Sequence, residues 1–277
     1  MAAEILKGAP AAAALLEKLK RETASFGRTP KLVLIGVEGD PSLGSYAKGI
    51  RKSAKEAGIE FRFDLFPADV SDGEYLQAVK AANEDPETDG VLLSMPLPER
   101  FSFGKMQDVM DPGKDVDGVS LVNRAKLYEG LPCLYPCTAE AVFRFLEFHG
   151  ISVAGKHAVV VGRSPVVGRP VALGLLARDA TVTVCHTKTE NLRDLTKEAD
   201  ILVTAAGCSG LIRKEDVKEG AVVIDLGMSA GEDGKIVGDV EMEGVSSVAS
   251  KIAPTMGGVG VLTTAILLEH TLISAKR

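Results

Sequence analysis

Tryptophan is absent from this chain, aromatic residues make up only 5% of it, and there are four cysteines and four histidines. Each scarcity excludes something. The cysteines stand at 133, 137, 185 and 208 with irregular spacing, so no disulfide framework is legible. Cys133 and Cys137 form C-x-x-x-C without a second pair or a neighbouring histidine. That argues against zinc and leaves buried, reduced thiols as the expectation, with no metal. Long apolar runs are missing too. "AVVVG" from Ala158 and "AILL" from Ala265 fall far short of the roughly 20 residues a bilayer span needs. Positive charge is not in excess: the net charge is −6 with no basic cluster, which excludes nucleic acid and anionic membrane as expected partners. The first residues, "MAAEILKGAPAAAALLEKLK", are interrupted by Glu4, Lys7, Glu17 and Lys18. They read as a domain helix rather than a leader, which points to the cytoplasm.

What is present is an ordinary globular composition, 45% hydrophobic and 25% charged, over 277 residues, enough for two packed domains. Apolar runs alternate with helix-period stretches. "KLVLIGV" (31–37), "EFRFDLF" (60–66) and "DGVLLSMPLP" (89–98) read as strands separated by helices at "DPSLGSYAKGIRKSAKEAG" (40–58) and "GEYLQAVKAANED" (73–85). A helix at 138–150, stopped by Gly150, leads into a second series. Its strands are 157–162, 181–186, 200–206 and 221–227, with a helix over about 168–178. "TTAILLEHTLISA" reads as one closing amphipathic helix. The alternation predicts an α/β protein with two α/β domains, their junction near 138–150 and parallel sheets joined by crossover helices.

"VVVGRSPVVGRPVALGLL" places Gly162 and Gly168 directly after a strand and directly before a helix. Gly162 permits a tight turn, and Gly168 lets backbone approach a ligand at a helix N-terminus, where N–H groups and the macrodipole favour phosphate. Ser164 stands where the middle glycine of G-x-G-x-x-G would be, so an ordinary βα loop is the alternative. One strand later the chain reads "CHTKT", without the acid that would hold an NAD ribose. Arg163, Ser164, Thr187 and Lys188 supply basic and hydroxyl groups for a 2′-phosphate, which favours NADP. Solvated surface charge is the other reading of the two basic residues.

Several motifs occur in a consistent order: "MPLP" (95–98), "KDVDG" (114–118), "PCT" (136–138), "VVVGRSPVVGRP" (159–170), "GDV" (238–240) and "APTMGGVGVLTTAILLEHTL" (253–272). Together they resemble the bifunctional methylenetetrahydrofolate dehydrogenase/methenyltetrahydrofolate cyclohydrolase family over essentially the whole chain. The resemblance implies a folate-binding catalytic domain at 1–138, completed by a C-terminal helix at 264–277, and a Rossmann-like NADP domain at 139–263. It further implies folate in a cleft between the domains, and a homodimer. By the same resemblance Tyr46 and Asp117 are the catalytic residues. The substrate would meet Tyr46, Ser94, Pro96, Asp117, Pro254, Gly257 and Gly258. The dinucleotide would meet Thr138, Gly162, Arg163, Ser164, Val167, Gly168, His186, Thr187, Gly227 and Met228. His186 on its own residue type reads as a strand-end packing residue.

The chain departs from the family pattern at telling positions. The family has a lysine one helical turn after its tyrosine, and here that position is Ile50. Ser94 replaces the glutamine that supports the lysine, Leu43 a serine and Ala139 a proline, while Thr255, Met256 and Val261 alter the glycine-rich loop. Hydride removal from a carbon between two nitrogens needs positioning more than proton transfer. Hydrolysis of the methenyl product needs protons moved, and a positioned ionisable group contributes ~10²–10⁴-fold to such steps. Isoleucine does neither. The expectation is an NADP-dependent dehydrogenase with cyclohydrolase activity absent or very weak. The alternatives are a bifunctional enzyme with a displaced lysine at 48 or 52, a silent dinucleotide- or pterin-binding protein, and a dehydrogenase of another one-carbon carrier.

Overall fold

The structure is a computed structural model that describes residues 2–95, 97–231 and 234–277. It contains two compact units: residues 13–137 with 264–277, called here the first unit, and residues 1–12 with 138–263, the second. The chain opens with β1 (Glu4–Ile5) and α1 (Ala9–Ala24). Then come β2 (Lys31–Val37), α2 (Leu43–Ala57), β3 (Glu60–Phe66), α3 (Asp72–Glu84) and β4 (Gly90–Leu93). Helices α4 (Phe103–Val109), α5 (Leu121–Tyr128) and α6 (Cys137–Phe148) follow. The next series is β5 (His157–Val161), α7 (Gly168–Leu176), β6 (Thr181–Cys185), α8 (Leu192–Thr196), β7 (Ile201–Thr204) and β8 (Val222–Asp225). The chain ends with β9 (Ser229–Ala230), β10 (Ile236–Val237), α9 (Met242–Val245), β11 (Lys251–Ala253) and α10 (Thr263–Ala275).

In the first unit three parallel strands are ordered β3-β2-β4, with Lys31 opposite Glu60 and Leu32 opposite Gly90. β2 lies in the middle and is buried from Leu32 to Val37, as a continuous apolar run demands of a parallel strand covered on both faces. On one side its Val33 and Ile35 join Tyr75, Val79 and Met106 in a core, and the Tyr75 hydroxyl donates to the Ile35 carbonyl at 3.2 Å. α3 begins at a capping box in which Ser71 accepts from the Glu74 N–H while the Glu74 carboxylate accepts from the Ser71 N–H. β4 stops at Leu93, short of the 89–98 strand expected from the sequence. Its last ladder bond is Ser94 N–H to the Ile35 carbonyl at 2.9 Å, and Pro98 beyond has no N–H to extend it. The closing helix departs from the amphipathic expectation, since every residue from Ala265 to Leu272 is buried. A helix enclosed all round carries no polar stripe. Glu269 on it is satisfied by Lys18, whose Nζ donates to Oε1 at 3.0 Å.

The second unit holds a six-stranded parallel sheet in the order β1-β11-β8-β7-β5-β6. β5 is flanked by β6 on one side and β7 on the other, so the chain reverses its winding direction beside β5. That switch point is where doubly wound sheets leave a crevice at the carboxyl ends of their strands. β1 pairs with β11 through Glu4↔Lys251 and Ile5↔Ile252. Residues 1–12 therefore belong to this unit, whereas the sequence reading put them in the first domain. A two-residue edge strand has too little periodicity to announce itself. Of the cysteines, Cys137 and Cys185 are buried, Cys133 is half-buried and Cys208 is exposed, which corrects the expectation that all four are interior. Among the described residues, no helix is long and apolar enough to cross a membrane.

Candidate functional site

α2 buries Leu43, Ala47, Ile50, Ala54 and Ala57, a stripe along one face, and ends at Gly58 in the left-handed conformation with φ +71°. Its start is shaped by Asp40, whose Oδ1 accepts from the Ser42 N–H at 2.8 Å and hydroxyl at 2.7 Å. Tyr46 lies at the edge of the buried stripe, one turn before Ile50, which is completely enclosed. Lys48 and Lys52 are both exposed. At 100° per residue they point about 160° and 120° away from Tyr46 around the helix. Tyr46 and Ser94 line one cavity of about 350 Å³ together with Asp40, Ser42, Leu43 and Met95. Pro96, expected beside them, lies outside the described residues.

Over the whole residue 41% of Tyr46 is solvent-exposed, while its phenol oxygen is desolvated by surrounding protein. Burial raises the phenol's pKa well above the ordinary value, with further contributions from Asp117 and Cys137. Asp117 is the other half of this arrangement. Burial of its carboxyl pushes the pKa up to about 6, with repulsion from Asp115 adding to it. Opposing that, the Cys137 N–H donates to Asp117 Oδ1 at 3.2 Å. Asp115 is fully buried and accepts from the Val119 N–H, the Ser120 N–H and Asn123 Nδ2 at 2.8 to 3.0 Å. Gly118 turns the chain at φ +61°, and a Cβ there would sit 2.5 Å from the Leu134 carbonyl oxygen. Only glycine lets the 115–118 segment lie so close to 134–136.

In the second unit the Gly162–Gly168 turn follows β5 and opens α7. Gly162 has φ +136°, and a Cβ on it would strike the Ala205 carbonyl, while a Cβ on Gly168 would strike the carbonyl of Gly162. Ser164, in the place of the middle glycine, earns a structural role there: its Oγ accepts from the Val167 N–H at 3.1 Å and the Gly168 N–H at 3.3 Å. Arg163, Thr187 and Lys188 are exposed. His186 is half-buried; its N–H donates to Thr189 Oγ1 and its Nδ1 accepts from the Lys188 N–H, folding 186–189 into a turn after β6. Thr138 is half-buried in the first turn of α6.

Two buried carboxylates organise the strand ends nearby. Asp225, at the end of β8, accepts from Thr204 Oγ1 and from the N–H groups of Gly227, Asp239 and Val240. Asp239 holds the loop after β7 through the Ala206 N–H at 2.6 Å and the Cys208 N–H at 2.7 Å. Burial raises the pKa of Asp239 against the pull of those N–H groups. A Cβ on Gly227 would collide with the Asp239 carboxylate, and Met228 after it is 65% exposed. Pro254 and Gly258 pack against each other, and the Gly257 carbonyl accepts from the Gly8 N–H at 2.9 Å.

Within the first unit, Tyr46, Ser94 and Asp117 gather around one region; within the second, the glycine turn, His186, Thr187, Gly227 and Met228 follow strand carboxyl ends. The sequence reading missed Asp115 and Asp225 as anchors, although "KDVDG" and "AVVIDLG" contain them, and it passed over His270. The signal for His270 was an imidazole, flanked by Glu269 and Thr271, inside a helix that is otherwise rich in Leu, Ile and Ala.

Comparison with known proteins adds a family. Residues 6–117 match the catalytic-domain model of tetrahydrofolate dehydrogenase/cyclohydrolase, and residues 136–277 match the NAD(P)-binding domain model of the same enzymes. The bifunctional protein FolD of Bacillus subtilis is 41% identical over 280 residues, covering 100% of this chain and 99% of that protein. The bifunctional methylenetetrahydrofolate dehydrogenase/cyclohydrolase FolD of Campylobacter jejuni superposes with a TM-score of 0.96 at 39% identity, over 99% of each chain. The Trypanosoma brucei methylenetetrahydrofolate dehydrogenase-cyclohydrolase, solved with NADP and an inhibitor, gives a TM-score of 0.94 at 33% identity over 100% of this chain and 98% of that one.

Proposed function

The chain belongs to the tetrahydrofolate dehydrogenase/cyclohydrolase family, and on that footing we propose that it oxidises 5,10-methylenetetrahydrofolate with NADP and hydrolyses the product poorly or not at all. In this reading Tyr46, Ser94, Asp117, Pro254, Gly257 and Gly258 serve the folate, with Pro96 beside them by family pattern. The residues of the second unit fit a dinucleotide. Gly162 and Gly168 leave no room for a side chain at the N-terminus of α7, where a pyrophosphate is favoured. Arg163, Thr187 and Lys188 are exposed and available to a 2′-phosphate. NADP supplies the hydride acceptor. The bridging carbon gives up hydride, its two nitrogens share the resulting positive charge, and no proton leaves the protein or enters it.

The observation that carries the limit on hydrolysis is Ile50. It is wholly buried one turn from Tyr46, while both neighbouring lysines point to solvent. Adding water to the methenyl carbon and breaking a C–N bond releases a proton, and the α2 face offers no cation or base where the family has one. Methylenetetrahydrofolate and NADP in one cuvette test this: NADPH and the methenyl absorbance are expected to rise together, with methenyl persisting at its spontaneous decay rate. Methenyl consumed as fast as it forms would favour the second reading, a bifunctional enzyme like the relatives named above. Loss of that consumption in Lys48→Ala or Lys52→Ala would assign it to a displaced lysine. Binding of NADPH with no turnover of any folate would instead favour a silent binding protein. A homodimer acting in the cytoplasm completes the proposal, and sedimentation velocity checks the dimer.

A further inference from the structure

One buried polar contact in the first unit has no part in the chemistry above. His270, 5% exposed on α10, places Nδ1 at 2.7 Å from the Val116 carbonyl oxygen. A carbonyl only accepts, so Nδ1 carries the proton and donates. The Cys137 thiol donates to the same oxygen at 3.2 Å, and its sulfur lies 3.8 Å from Nδ1. Val116 immediately precedes Asp117. The peptide that aims the Asp117 side chain is thus gripped by two donors, one from the C-terminal helix and one from the residue whose N–H also binds the Asp117 carboxylate.

The neighbouring bonds leave a specific task for this grip. Asp115 is tied down by Val119, Ser120 and Asn123, and Gly118 is wedged against 134–136. The Val116 N–H reaches the Val91 carbonyl at only 3.4 Å, a weak tether to β4. The Val116 carbonyl lies in the peptide plane between Val116 and Asp117, and the His270 and Cys137 donors both fix it there. Rotation of that plane swings the Asp117 Cα–Cβ vector. A displacement near 1 Å at a positioning group is enough to cost about 10²-fold in the worst cases.

We propose that His270 is a positioning residue for Asp117, holding through Val116 the carboxyl that the folate reading places against the substrate. The inference rests on the folate reading for its consequence, and on the hydrogen-bond geometry alone for the positioning itself. Asparagine can present an amide N–H near the place of Nδ1, whereas glutamine places its amide near Nε2 and leucine donates nothing.

The test compares His270→Asn, His270→Gln and His270→Leu with the unmodified enzyme. The Leu and Gln variants are expected to raise KM for methylenetetrahydrofolate about tenfold, the scale of one lost buried hydrogen bond, with KM for NADP unchanged. The Asn variant is expected to stay within about threefold of the unmodified enzyme. Equal folate KM in all four proteins overturns the proposal, as does an Asn variant as impaired as Leu while retaining the native Tm. A second readout needs no substrate: the Asp117 carboxyl ¹³C shift followed against pH. Its apparent pKa is expected to move in the Leu and Gln variants and to return in Asn; an unmoved titration in all of them overturns positioning. Should the unmodified enzyme fail to oxidise methylenetetrahydrofolate, the folate reading falls, and the carboxyl titration still decides the role of His270.

Discussion

The turn after β5 and the exposed end of α2 solve different problems with different parts of the residue. At Gly162 and Gly168 the missing side chain is the point: neighbouring carbonyls occupy the space a Cβ would need, and the backbone closes on itself there. At Tyr46 and Asp117 the side chain is the point, and burial tunes it, raising both the phenol and the carboxyl above their ordinary pKa values. A site of the first kind tolerates no added atom. One of the second kind tolerates a change of shape but not of proton inventory, and the proposed limit on hydrolysis turns on Ile50 being such a change.

The largest effect is expected where an atom is added. Gly168→Val should lower NADP-dependent turnover by more than about 10²-fold, because the β5–α7 turn must move by an ångström or more to admit it. NADPH fluorescence titration reads the same loss directly, and unchanged binding would show that the turn is not a nucleotide cradle. Next comes restoring the proton inventory. The double variant Ile50→Lys/Ser94→Gln should raise methenyl hydrolysis by about 10²-fold over the parent, at a stability cost from an amine at a wholly buried position. A variant that folds and hydrolyses no faster would count against Ile50 and Ser94 as the positions that limit hydrolysis.

A smaller effect concerns Asp117 and pH. Its folded pKa of about 6 lies above the unfolded value near 3.9, so between those values the native state binds more protons than the unfolded state. Its contribution is neutral below that window, and it increasingly destabilises the fold as pH rises through it. Asp117→Asn should therefore gain in Tm relative to the parent between pH 4 and about 6.5, with the difference level above that. A parallel pair of Tm curves would place the carboxyl in contact with solvent. The smallest effects belong to Lys48→Ala and Lys52→Ala. Both are exposed, and each should leave stability within about 0.5 kcal/mol and dehydrogenase rate unchanged.

Much of this was legible beforehand because it rests on local patterns. β2, β3, β5 and the bounds of α2 follow from apolar runs and helical spacing, and the glycines of the β5–α7 turn from what a close backbone approach permits. The hard cases share a physical cause. β1 is two residues long and acquires meaning only by pairing with β11 across the length of the chain, and β11 itself is a three-residue strand held between β1 and β8. α10 is buried all round, Glu269, His270 and Thr271 included, and helical spacing within it says nothing of what encloses it. Asp225 reads as a strand residue until its four donors are counted.

By itself the sequence determined the alternation of strand and helix, the glycine turn, the family, and the identity of residue 50, because each is a property of residue type and spacing. Tertiary structure decided that Ile50 is wholly enclosed beside Tyr46, that Asp117 titrates near 6, and that His270 reaches the Val116 carbonyl. Burial and hydrogen bonding depend on which distant segments meet, and the free energy of a charge or a donor is set by that meeting rather than by its neighbours along the chain.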